Sequence, residues 1–260
     1  MSGLKITFLG TGTSQGVPLI NCDCAVCTST DSRNKRLRTS ITITNGDTFI
    51  LIDTTPDMRQ QLLRHPVPRI DAVLFTHAHA DHIYGIDDLR RFNILQRKRI
   101  PVYGIKETLD RLRGLFEYAF GEGRLNLGVP NLQANEIDGK FSVNELNIEP
   151  IRLLHGRQVV LGFRIGDFAY CTDVSQIPEN SYPKLEGLKI LVLDALREEE
   201  HPTHFSLDEA ISEAEKINAK ETYFIHMSHE IDHESHSNKL PDHISFAYDG
   251  LTLELNRSDT

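Results

Sequence analysis

Phe75-Thr76-His77-Ala78-His79-Ala80-Asp81-His82 continues the apolar run that starts at Asp71-Ala72-Val73-Leu74, so three histidines and a carboxylate crowd the end of a buried-type strand. Alternate side chains of a strand share a face, which lets His77 and His79 turn toward one ion. Asp81 and His82 lie past the strand end, where a turning backbone can aim two more ligands at a second ion. Imidazole with carboxylate suits zinc, manganese or iron, and two such ions about 3.5 to 4 Å apart form a hydrolytic device. The alternative is a polar surface loop, which accounts for a stray histidine better than for this spacing behind an apolar strand.

The same sign recurs downstream. A strand over 146–154 ends in His155, a hairpin over 159–165 and 168–172 is closed by Asp173, and the apolar strand 221–225 ends in His226. Several strands thus deliver metal-type side chains to one edge. Strands interleaved with helices predict an α/β (α+β) protein of two packed sheets with helices outside, an αββα four-layer sandwich. The expectation is a single domain, 1–260, of two similar halves.

Elsewhere, 4–9 is a strand running into Gly10-Thr-Gly-Thr-Ser-Gln-Gly16, which matches neither a P-loop nor a dinucleotide fingerprint. It reads as a tight turn passing close beneath the metal loops. Asn45-Gly46 turns a hairpin over 40–44 and 48–53. Helices are predicted over 56–64, with Met58, Leu62 and Leu63 toward the core, and over 85–92, 106–118 and 206–217. The last opens with a capping box, Ser206 with Glu209. Residues 119–131 are expected to form a mobile crossing, and a strand at 132–137 to begin the second half. Arg33, Lys35, Arg36 and Arg38 read as a solvated basic face, and 256–260 as a loose tail.

The 260 residues, 39% hydrophobic and 25% charged, fit an ordinary globular protein with a sizeable core. A formal charge of -9 argues against extended nucleic acid as a partner. It is compatible with a small anionic substrate once divalent ions invert the local field. No run is apolar and long enough to span a bilayer, and the N-terminus lacks a secretion pattern, so a cytoplasmic protein without membrane association is expected.

Cys22, Cys24 and Cys27 lie too close together for a disulfide framework and suit one tetrahedral zinc that lacks a fourth ligand. His229, three residues after His226, is the chosen fourth, with His233 and His236 competing. Four protein ligands leave no open position, so this zinc would be structural. Cys171 reads as a small core residue. His65 and His243 stand in no motif and read as solvated.

His77-x-His79-x-Asp81-His82 after an apolar strand resembles the signature of metallo-β-lactamase-fold hydrolases. The resemblance implies that His77, His79 and His155 bind one ion, that Asp81, His82 and His226 bind the other, and that Asp173 bridges both. It also implies a carboxylate, Asp53, behind the histidine loop, although Thr54-Thr55 stand where the family usually has a glycine. The strand ending in Gly-Thr-Gly-Thr-Ser-Gln-Gly-Val-Pro, together with the cysteine trio, is similar to the phosphoribosyl cyclic phosphate phosphodiesterase branch. That likeness implies hydrolysis of a small phosphodiester, cyclic ones included, by a hydroxide bridging two manganese or zinc ions, with a separate structural zinc.

A departing oxygen also needs a proton. His204, in Pro202-Thr-His-Phe-Ser206, is the candidate general acid, with Asp81 helping to orient the hydroxide; a capping histidine is the bland alternative. His201 has no support from the family pattern. A ribonuclease Z-like nuclease shares the metal motif, but that family usually carries a basic, glycine-rich arm that this sequence lacks. A non-catalytic relative of the pyrroloquinoline quinone biosynthesis type has no need of a complete ligand set. A symmetric dimer is the default assembly.

Overall fold

A computed structural model of the chain describes residues 3–121 and 128–256. Two seven-stranded sheets form its centre. The first is built from β1 (Leu4–Gly10), β2 (Ser40–Asn45), β3 (Thr48–Ile52), β4 (Ala72–Leu74), β5 (Ile100–Gly104) and β6 (Leu132–Glu136), joined at one edge by the last strand, β14 (Thr252–Leu255). The second runs through β7 (Phe141–Val143), β8 (Leu146–His155), β9 (Gln158–Ile165), β10 (Phe168–Cys171), β11 (Ile190–Asp194), β12 (Glu221–Ile225) and β13 (Ile244–Phe246). The helices are α1 (Ala25–Thr28), α2 (Met58–Arg64), α3 (Ala80–Ile83), α4 (Arg90–Gln96), α5 (Lys106–Leu115), α6 (Leu207–Ile217) and α7 (His233–Ser237).

Strand alternation makes the layers. Ile50 and Ile52 face the core between the sheets, with Phe8, Ile41, Phe163, Tyr170 and Val192. Leu51, between them in sequence, faces the opposite way, into a cluster with Met58, Ile83, Leu89 and Leu109 from the helices. A third cluster sets Leu191 and Leu193 against Leu207, Ala210 and Ala214 of α6. These strands are buried on both faces, which is why they read as continuous apolar runs.

Each sheet carries the same succession of pairings. From β14 to β6, and again from β7 to β13, three antiparallel pairs are followed by three parallel ones. The pairing changes sense at β3 in one sheet and at β10 in the other. A backbone hydrogen bond from Leu161 to the Thr76 carbonyl, 2.9 Å, joins the sheets beneath the histidine loop.

Several expectations need correction. The strand expected to begin the second half is β6, hydrogen-bonded to β5 in the first sheet. The 85–92 helix is a 3-10 turn, Ile86–Leu89, continued by α4. Leu63 is 66% exposed; Gln61 takes the buried place on α2, where its amide reaches the Thr55 hydroxyl and the Arg38 carbonyl. Leu115 faces solvent at the end of α5.

The basic cluster is no solvated face either. Arg36 is 1% exposed, Arg38 pairs with Asp57 at 3.0 Å, and the Lys35 ammonium donates to the Cys27 carbonyl at 2.8 Å. Of the expected mobile crossing, residues 122–127 lie outside the described residues, but its flanks are anchored: Ala119 is buried, and Asn131 exchanges two hydrogen bonds with the Asn93 amide. Residues 257–260 of the expected tail also lie outside. No helix among the described residues is long and apolar enough to cross a membrane.

Candidate metal centre

The carboxyl ends of β3, β4, β10, β11 and β12 converge with the end of β8, and two groups of metal-type side chains meet there. His77, His79 and His155 form one; Asp81, His82, Asp173 and His226 form the other, with ligand atoms within 4.8 Å of one another in each. Asp173 stands between them. Its Oδ1 lies 3.3 Å from His82 Nε2 and 3.3 Å from His226 Nδ1, while its Oδ2 points to His77 Nε2 at 3.8 Å.

Local backbone explains how strand ends aim these groups. Asp53, Asp173 and His226 all adopt left-handed φ values, 61°, 57° and 61°. Such conformations are uncommon for residues with a Cβ and persist where surroundings over-determine them. At Asp53 the aspartate itself makes the turn for which a glycine was expected nearby.

The imidazole rings are held from behind. His82 Nδ1 donates to Asp53 Oδ2 at 2.7 Å, and the same carboxylate accepts from the Thr76 amide and hydroxyl. His77 Nδ1 donates to the Thr76 oxygen at 3.0 Å, and His155 Nδ1 to the Thr203 carbonyl at 2.7 Å. These contacts fix each ring with Nε2 facing the cluster, the tautomer a metal ligand needs. His77 Nε2, His82 Nε2 and His226 Nδ1 are buried and have no hydrogen-bond partner among the described residues.

Orphaned nitrogens of this kind are costly, and a divalent ion would satisfy them. Burial pushes the His77, His155 and His226 rings below their ordinary range, which keeps them neutral. A neutral imidazole offers the lone pair that ligation uses. Donor set, tautomers and orphaned atoms all fit two divalent ions. His79 is exposed and marks the open side.

His204 lies beside both groups. Its ring stacks on His226, centroids 4.8 Å apart, and meets His155 edge-on at 4.6 Å. Its Nδ1 donates to the buried Asp194 carboxylate at 3.0 Å. Burial draws the His204 pKa down, but Asp194, with Asp173 and Asp81 behind it, outweighs that and raises it to about 9. Asp194 closes β11 as His226 follows β12, and it is the residue that strand-by-strand reading passed over. The signal was present: Ile190-Leu-Val-Leu193 ends in an acid. His201, half-buried, contacts the Thr203 amide and hydroxyl through Nδ1 and the His204 ring, and belongs to neither ligand group.

A separate site gathers Cys22, Cys24, Cys27 and His229. His229 Nδ1 lies 3.4, 3.4 and 3.8 Å from the three sulfurs. His233 and His236 turn elsewhere, the first against Phe246 and Tyr248, the second to Glu198 at 3.1 Å. Four ligand atoms closing on one point suit tetrahedral zinc. Cys171 is buried, away from this group, and burial pushes its thiol up to about 12.

Residues 48–227 match the Beta-lactamase superfamily domain. An octanoyltransferase of Porphyromonas gingivalis is 40% identical over 253 residues, 95% of this chain and 51% of that protein, so the chain spans about half the length of that relative. The crystal structure of a diphosphatase from the PhnP family superposes with a TM-score of 0.91 at 42% identity, covering 97% of each chain. Zinc-bound PqqB from Methylobacterium extorquens superposes with a TM-score of 0.78 over 96% of this chain and all of that one; at 21% identity the likeness is one of fold.

Proposed function

The chain belongs to the beta-lactamase superfamily, as a hydrolase of the metallo-β-lactamase fold, and we propose that it is a phosphodiesterase that uses two divalent ions to cleave a small, including cyclic, phosphodiester. The observation that carries this reading is Asp173 facing both ligand groups, with His204 held on Asp194 alongside. The diphosphatase relative supports a phosphoryl substrate. The transferase name belongs to a protein about twice as long and does not bear on this half alone.

In this reading His77, His79 and His155 hold one ion, Asp81, His82 and His226 the other, and Asp173 both. Manganese or zinc there would supply Lewis acidity toward a phosphoryl oxygen and bring the pKa of a water toward neutrality. Asp53, Thr76 and the Thr203 carbonyl keep the rings aimed. Asp81, its oxygen 3.2 Å from His82 Nε2, orients the attacking group. Asp194 fixes His204 through Nδ1, leaving Nε2 to give its proton to the departing oxygen. Cys22, Cys24, Cys27 and His229 hold a structural zinc remote from the reaction. No extended nucleic acid or membrane takes part, the protein works in the cytoplasm, and a homodimer is the assembly we propose.

The test is turnover of bis(p-nitrophenyl) phosphate by metal-stripped protein reconstituted separately with manganese and zinc. Metal-dependent cleavage that disappears in Asp81→Ala and is only weakened in Cys24→Ser is the expected result. Two bound ions without cleavage would sink the phosphodiesterase reading.

A further inference from the structure

Arg36 heads the fully buried side chains by size, and its guanidinium meets oxygens that carry no full charge. Nη1 donates to the Ser228 carbonyl at 2.8 Å; Nη2 donates to the Ile231 carbonyl at 2.7 Å and to Asn34 Oδ1 at 2.9 Å; Nε reaches the Arg33 carbonyl at 3.3 Å. Burial without a carboxylate on the fork is an expensive place for a charge. What the fork grips is the segment that links the two candidate metal sites. His226 belongs to one and His229 to the other, three residues apart.

Several backbone groups along this segment are held from outside it. Met227 donates to the Thr11 carbonyl and accepts from Thr13, each at 3.1 Å, which is the role the glycine-rich loop plays beneath the site. Ser228 donates to the Leu196 carbonyl at 2.8 Å. Added side chains at Gly10 and Gly12 would strike the Arg38 carbonyl and the Arg36 side chain, so the loop lies close against the segment before β2 that carries Arg36. These clamps over-determine the left-handed φ of His226, a conformation that relaxes once its supports are lost.

A divalent ion among three thiolates and a neutral imidazole carries one net negative charge. Arg36 sits among Asp249, Asp232 and Asp31 and feels Cys27 as well, and Lys35, whose ammonium donates to the Cys27 carbonyl, lies nearer that charge, so the link that Arg36 makes is the grip of its fork on Ser228 and Ile231. On the reading that both groups hold metal, we propose that Arg36 is a positioning residue that ties the Cys22/Cys24/Cys27/His229 site to the Asp81/His82/Asp173/His226 site, so that filling the first sets the metal affinity of the second. With His229 fixed, Ser228 and Ile231 are pinned between a ligand and the guanidinium, and His226 is presented in the ligating pose. With His229 free, the grip loses its far anchor.

The experiment measures metal content by mass spectrometry and divalent affinity by competition with a chromophoric chelator. It uses the full chain in wild-type, Cys24→Ser, Arg36→Met, Arg36→Lys and Asp81→Ala forms, with circular dichroism to establish folding. Cys24→Ser and Arg36→Met should each weaken manganese or zinc binding at the remaining site at least about tenfold, in the range set by lost support behind a metal ligand. Arg36→Lys, which restores the charge without the planar fork, should fall between. A folded Cys24→Ser that binds its remaining ions with wild-type affinity overturns the coupling. If Arg36→Met does not fold, Asn34→Ala removes one partner of the fork and keeps the charge; unchanged affinity there overturns the role of Arg36. Equal metal content in wild type and Asp81→Ala would instead refute the metal reading itself.

Discussion

Asp194→Asn isolates the charge that keeps His204 protonated. The amide oxygen can still accept from His204 Nδ1, 3.0 Å away, and from the Val174 amide at 3.3 Å. Its amino group falls where Asp194 Oδ1 is buried without a partner, which costs stability but leaves the contact to the ring in place. In the metal-free chain the pKa with Asp194 present stands at about 9; without it, burial opposes only the more distant Asp173 and Asp81, whose charges bound ions would offset, and we take the ordinary 6.5 as the working value. At pH 8 the protonated fraction then falls from about nine tenths to about 3%, a loss of about thirtyfold, or about 2 kcal/mol in the barrier. At pH 6 the two fractions differ by less than about twofold. The assay is kcat against pH for an alkyl phosphodiester beside bis(p-nitrophenyl) phosphate. Nitrophenolate leaves with little help from an acid and should be spared, while the alkoxide should show the full loss. A uniform loss across pH and across both substrates would refute the assignment of His204 as the proton donor.

Asp53→Ala should weaken metal binding by about 10- to 100-fold and cost about 2 kcal/mol of stability, read by chelator competition and by denaturant unfolding, because it strands His82 Nδ1 and the Thr76 amide in the interior. In metal-stripped protein at pH 7, Cys24 should be the one fast thiol toward a disulfide reagent: the Cys27 amide and the His229 ring hold its pKa near 6, whereas burial pushes Cys27 up to about 11. Cys24→Ser should abolish that phase, and zinc should suppress it in the wild type. Burial raises Asp249 to about 6 from 3.8, against its bonds from Leu37 and Thr11. The folded state then holds this proton more tightly, so its contribution is complete below pH 4 and lost as the pH rises through 6, by no more than about 3 kcal/mol; unfolding of Asp249→Asn should show a flatter slope across that window.

The sequence made the ligand strands visible because burial on both faces leaves long apolar runs, and a histidine or aspartate at the end of such a run stands out. The short edge strands β7, β13 and β14 escaped, since three or four residues are too few to establish a period. Arg36 escaped for a different reason. Its burial is decided by carbonyls some 192 and 195 positions away, and nothing local separates it from the half-buried basic residues around it. Asp194 escaped because an acid at the end of a strand is ordinary until the fold brings His204 onto it.

The pairing pattern makes the placement of the centre intelligible. In open sheets, ligands gather at the carboxyl ends of the strands. β3 and β10 are the strands at which antiparallel pairing gives way to parallel in their respective sheets, and each is followed by an aspartate in the left-handed conformation, Asp53 and Asp173. One device has thus been used twice with different reach. Asp53, 2.7 Å from His82 Nδ1, stands behind the ring and sets its tautomer, while Asp173, 3.3 Å from His82 Nε2, stands in front of the same ring and faces the other ligands. His82 therefore lies between carboxylates from the two sheets, hydrogen-bonded to Asp53 at Nδ1 and facing Asp173 across the ligand position at Nε2. A change at either aspartate should disturb the same metal position, through the ring in one case and directly in the other.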